Sequence, residues 1–145
     1  SPKMNFIPTT VSAADAESIT VALPGNTLIK IPCKGSSVHN GDKVTLGVRP
    51  EDLLLADSAD AQLNGKALVV ERLGGETYTY VQLDDGTMLT VKSDRTVLSY
   101  AGRPFTFGIN ANSCHIFSED GLAIERLDRD SFEDISRAEK QAASS

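Results

Sequence analysis

Basic residues are in short supply: the 145-residue chain carries 14 Lys and Arg against 20 Asp and Glu, a formal charge of −6. Neutralising a phosphate backbone needs clustered Lys and Arg on one face, so this balance argues against nucleic acid as a partner. Cysteine is scarce too. Cys33 and Cys114 stand far apart and nothing like a secretory signal precedes them, which predicts a reduced intracellular chain rather than a disulfide scaffold. Long hydrophobic runs are missing: no stretch approaches the roughly 18 to 20 apolar residues of a membrane helix, and charge or glycine interrupts each candidate within a few residues.

Reactive motifs are absent as well. A phosphate-cradling loop needs four residues between its first glycine and a Gly-Lys pair, so that backbone amides and the lysine converge on the phosphates. The nearest string, GSSVHNGDK from Gly35 to Lys43, has five, and Asp42 sets a negative charge where the lysine belongs. Zinc needs closely spaced His and Cys pairs, and the chain offers only Cys114-His115 and the distant Cys33 and His39. Neighbours in a strand point to opposite faces, so Cys114 and His115 are not a thiol and its base: Cys114 is expected buried and His115 at the surface. The carboxylate pairs Asp84-Asp85 and Glu119-Asp120 fall at predicted turns and supply too few ordered oxygens for a calcium loop. With no nucleophile elbow and no HExxH, no catalytic, metal or cofactor residues are assigned.

With 40% hydrophobic residues, the chain has the material for one ordinary core. From Ile19 to Arg126, short runs of Val, Ile, Leu, Thr, Tyr and Phe alternate with turn signals, the pattern of an all-β barrel or sandwich. Those signals are Pro24-Gly25-Asn26, Asn40-Gly41-Asp42, Asn64-Gly65, Gly74-Gly75, Asp84-Asp85-Gly86, Ala101-Gly102 and Asp120-Gly121. The clearest hairpin is TYTYVQL, Asp84-Asp85-Gly86, TMLTVK, with Tyr78, Tyr80 and Gln82 on one face and Thr79, Val81 and Leu83 on the other. In KVTLGVR, Val44, Leu46 and Val48 point inward and Lys43, Thr45 and Arg49 outward. Further strands are predicted near 18–23, 28–32, 66–73, 104–110, 113–118 and 122–126. The opening SPKMNFIP begins with a loop-like Ser-Pro pair; lacking an initiator methionine, it predicts a piece of a longer protein. After Leu127 the composition turns charged, and residues 128–145 predict a short fraying helix: Ser131 and Asp134 suggest a capping box, and Phe132 with Ile135 a narrow apolar stripe.

Three sets of strings resemble one family. The opening Ser1 to Ile7, SPKMNFI, is similar to the segment following the nucleotide-binding domain in ATPase subunits of carbohydrate-importing ABC transporters of the maltose and glycerol-3-phosphate type. LGVRPEDLLL, Leu46 to Leu55, resembles the Gly-Ile-Arg-Pro-Glu signature of the TOBE domain in these subunits, a signature that importers of other solutes share. VVERLGGETYTYVQL, Val69 to Leu83, and SCHIFSEDG, Ser113 to Gly121, resemble the family's Val-Glu-x-Leu-Gly string and closing His-Leu-Phe-x-x-Asp-Gly string. Ile116 and Asp52 depart from the commoner leucine and histidine. Within the second string, Pro50 ends its strand by removing an amide donor, and Arg49 and Glu51 stand where a charge pair could tie that end to a neighbour.

The resemblance implies an OB-like β-barrel of the MOP/TOBE type, built from two interleaved halves over residues 1–127. It implies a non-catalytic regulatory and dimerisation module on the cytoplasmic side, peripheral on the inner face of the membrane. ATP and magnesium would belong to an ATPase domain outside this sequence. The implied partners are a second copy of the subunit, that ATPase domain, the membrane permease subunits indirectly, and a phosphotransferase-system protein or transcription regulator. The matched strings nominate Arg49, Glu51, Asp52, Glu71, His115 and Phe117 as regulatory or interface residues. A small-oxyanion-binding barrel of the molybdate type is the alternative, although the Ser-Ala-Arg-Asn type string of such sites does not occur.

Overall fold

The computed structural model describes residues 3–55, 58–94 and 99–127; the predicted tail helix lies outside them. Nine strands are present among these residues. Four of them, β1 (Asn5–Ala14), β2 (Ser18–Ala22), β3 (Leu28–Pro32) and β4 (Lys43–Val48), open the chain. Then come β5 (Ala61–Leu73), β6 (Glu76–Leu83), β7 (Met88–Asp94) and β8 (Pro104–Ile109), and last β9 (Cys114–Phe117). They form a five-stranded sheet in the order β3-β2-β1-β4-β9 and a four-stranded sheet in the order β7-β6-β5-β8, all antiparallel. The chain thus builds the first sheet, crosses to the second and returns one strand to the first, which is how the two halves interleave in this OB-like barrel.

The period-2 pattern decides which face is buried. In β4, Val44, Leu46 and Val48 are inside, and in β6 Thr79, Val81 and Leu83 are inside while Tyr78, Tyr80 and Gln82 face outward, as the alternation predicts. Ile7, Ile19 and Leu46 of one sheet join Leu89, Phe107 and Ile109 of the other in one core. Each such side chain, fully buried, is worth roughly 1.5–3 kcal/mol.

Two seams join the sheets. At one, the Asn5 side chain serves as a substitute strand: its Nδ2 donates to the Thr90 carbonyl at 2.9 Å and its Oδ1 accepts from the Thr90 amide at 2.8 Å. At the other, Leu54 and Gly108 exchange both backbone hydrogen bonds, at 2.8 and 2.6 Å. The turn before it is a short 3-10 segment, Pro50–Asp52, in which Pro50 is buried.

Several expectations need correction. β1 (Asn5–Ala14) is a strand that sequence reasoning did not assign; the loop-like Ser1-Pro2 pair lies outside the described residues. Pro8 sits where β1 pairs with β4 alone, before β2 joins at Val11, so its missing amide costs no rung of the second ladder. Asn64-Gly65 is no turn but lies inside β5, which begins at Ala61 rather than 66. A Cβ at Gly65 would lie 2.6 Å from both the Gln82 carbonyl oxygen and a Val81 methyl, so the glycine lets two strands approach closely. No strand forms over 122–126. Ala123 pairs singly with Phe117 and Arg126 singly with Cys33, and the amides of Lys34 and Leu127 complete the link through Glu125 and Pro32. This segment therefore straps β9 to the end of β3, tying the two edges of the five-stranded sheet.

Candidate regulatory interface

Because β1, β4 and β9 lie side by side, their outward residues form rows. Phe6, Gly47 and His115 make one, and Pro8, Thr45 and Phe117 the next. Phe6 remains 54% exposed, although its ring meets Phe117 edge to face with centroids 5.6 Å apart. Gly47 makes this possible: a Cβ there would come within 2.8 Å of Phe117 Cε2 and would strike Met4. The glycine thus leaves a depression into which an aromatic ring settles, beside a second ring turned to solvent. Exposed aromatics on a rigid sheet are the anchors that protein interfaces favour.

His115 stands at the edge of this face, half-buried. Arg126 from the strap reaches its Nε2 at 3.1 Å and also donates to the Asn112 carbonyl. A guanidinium has only donors, so Nε2 is the acceptor, and the contact fixes the imidazole's tautomer. Cys114, the next residue, is fully buried on the opposite face, as expected of neighbours in a strand. Burial pushes its thiol up to about 12, and burial likewise pushes Cys33 up to about 11. Both are free and serve as small core hydrophobes.

Of the nominated residues, the structure unites His115 and Phe117 on this face. Arg49, Glu51 and Asp52 occupy the turn leaving β4 at one end of the same sheet. Arg49 and Glu51 form no ion pair with each other, whereas Lys34 and Glu125 do, at 3.0 Å. The Pro50 turn instead closes through the backbone, Asp52 donating to the Arg49 carbonyl. Asp52 acts electrostatically on the Cys114 thiol, alongside Asp60 and Arg126. Glu71 is elsewhere. It lies on the outer part of β5, past the residues that β8 covers, where Tyr80 Oη approaches its carboxylate at 3.5 Å. Burial first, and then the Glu71 charge, raise the Tyr80 phenol above its ordinary value.

Sequence reasoning passed over Phe6, Gly47, Met4 and Arg126. The out-in alternation of Phe6, Ile7 and Pro8 was available as a signal, weakened by a proline within so short a run. Among the described residues no three His, Cys, Asp or Glu converge as metal ligands. No helix among them is long and apolar enough to cross a membrane.

Comparison with known proteins agrees with this architecture. A model of the MalK OB fold domain matches residues 1–53, and a TOBE domain model matches residues 46–117. The maltose/maltodextrin import ATP-binding protein MalK of Salmonella typhi is 41% identical over 128 residues. That of Aliivibrio fischeri is 39% identical over the same length. Each alignment covers 88% of this chain but 35% of the relative, so the chain spans about a third of the length of the curated relatives it matches. Among solved structures, the cytoplasmic molybdate-binding protein ModG, with molybdate bound, superposes with a TM-score of 0.68. At 18% identity, covering 77% of this chain and 94% of that one, it shares the fold. Matched by two overlapping domain models from residue 1 to residue 117, the chain belongs to the OB-fold and TOBE domain family of MalK-type import ATP-binding proteins.

Proposed function

We propose that this chain is the non-catalytic regulatory and dimerisation domain of the ATP-binding subunit of a sugar importer. The observation that carries the reading is the outer face of the five-stranded sheet, where Phe6 and Phe117 pack over Gly47 beside His115. It offers an aromatic, rigid, partly exposed patch and no acid, base or nucleophile arranged for chemistry, which suits a surface that meets another protein. The similarity to MalK subunits supports the same assignment.

On this reading the parent subunit sits at the cytoplasmic face of the membrane. ATP and magnesium bind in its ATPase portion, outside this chain, and permease subunits are contacted through that portion. The domain pairs with a second copy of itself, and its aromatic face receives a regulator such as an unphosphorylated phosphotransferase-system protein or a transcription activator. The small-oxyanion alternative shares the architecture alone, since the likeness to ModG at 18% identity speaks only for the fold. Size-exclusion chromatography with light scattering, on this chain at tens of micromolar, tests the self-association. A dimer mass is expected, and a monomer at every concentration removes dimerisation from the proposal.

A further inference from the structure

A cleft of about 160 Å³ opens where the β2–β3 turn of one sheet meets β5 and the β6–β7 turn of the other. It shares no residue with the aromatic face. The core residues Leu63 and Leu83 border it, and Thr27, Gln62, Asn64, Asp84 and Asp85 are its polar residues. Pro24 and Gly25 form the wall contributed by the opposite turn.

Two of the polar groups are held in place. Asn64 Oδ1 accepts from Thr106 Oγ1 at 2.8 Å, which identifies its amide oxygen and leaves the nitrogen as a donor. Asp85 Oδ1 accepts the Thr87 amide at 2.9 Å, and the hydrogen bonds from Thr87 hold its carboxyl below the usual range. The cleft has room for several waters, on the order of the space of one sugar ring.

The chemistry narrows the ligand. No Lys or Arg lines the cleft, so an anion would meet two carboxylates unpaired. An apolar ligand would strip water from the Asp84 and Asp85 carboxylates without replacing it. A divalent cation wants six or more oxygen ligands, and no group of three His, Cys, Asp or Glu converges among the described residues. What fits is a molecule with several hydroxyls: carboxylates accept from the hydroxyls, and carboxamides donate and accept.

We infer that this cleft binds a neutral polyhydroxylated molecule about the size of one sugar ring. Because its walls come from both sheets, an occupant ties the β2–β3 turn to the β6–β7 turn and stabilises the folded barrel by mass action. The inference goes beyond the regulatory reading and does not rest on it, since docking on the aromatic face can fail while this site binds.

Nuclear magnetic resonance titration of the chain with glucose tests it, with calcium chloride as a parallel arm. Saturable shifts confined to the amides around Gly25, Asn64 and Asp85 are expected, with half-saturation on the order of 1 mM. Asn64→Ala and Asp84→Ala should each weaken binding about tenfold while keeping the dispersed spectrum of the folded chain. Three outcomes overturn the inference: shifts that do not saturate, shifts spread over the whole barrel, or shifts of these amides with calcium but not with glucose.

Discussion

Both functions of the Asn5 amide are engaged by one residue, Thr90, on the edge strand of the opposite sheet. Asn5 is itself buried, so removing the amide leaves a backbone donor and an acceptor with no replacement strand. Asn5→Ala should therefore lower unfolding free energy by about 2 kcal/mol, read from urea denaturation with an unchanged slope. The thiols give a second residue-scale expectation. With Cys33 raised to about 11 and Cys114 to about 12, almost no thiolate exists near pH 8, and both sulfurs are buried. Alkylation by iodoacetamide at pH 8 should then be negligible in the folded chain and complete in denaturant; rapid labelling of the native state would show that the cysteines are not core residues.

The long strand β5 serves both its neighbours, pairing with β8 over its first six residues and with β6 from Gly65 onward. Gly65 lies where both ladders overlap, and the β6 backbone passes too close for a side chain. Gly65→Ala should cost about 1–3 kcal/mol by forcing the strands apart, measurable as a fall in Tm of several degrees. A helix-forming residue on the surface would show no such penalty, so the size of the loss checks the packing argument. Elements of this kind were legible to different degrees. The β6–β7 hairpin could be read in full, because its alternation is regular and its turn contains a glycine, Gly86, with φ of 91°. β1 could not, because Pro8 interrupts its alternation with a residue that strands disfavour, and only the tertiary pairing with β4 makes that proline harmless. Asn64-Gly65 failed for the opposite reason: the dipeptide carries a hairpin signal, yet the glycine is there for close approach rather than positive φ. The strap over 123–127 has strand-like residues but pairs for only one residue at each edge, a geometry that no local pattern encodes.

At the scale of the molecule, the barrel is a platform whose interior is committed to packing and whose outer face carries the recognisable features. His115 and Phe117 were readable as candidates through their string, whereas Phe6 and Gly47 emerged only once β1 and β9 were seen to flank β4. Residues that share a face but come from three distant segments cannot be assembled from one-dimensional spacing, which is why the face was half visible beforehand. The central claim is that this face regulates an importer without taking part in transport itself. It is tested most directly by placing Phe117→Asp in the full ATP-binding subunit and measuring uptake of the importer's labelled sugar in cells, with and without a preferred carbon source. The account predicts that uptake by the variant proceeds at the unmodified rate and that its inhibition by the preferred carbon source falls at least about tenfold, as expected when a buried aromatic anchor of an interface becomes a charge. Inhibition equal to that of the unmodified subunit, or loss of uptake under both conditions, would contradict it.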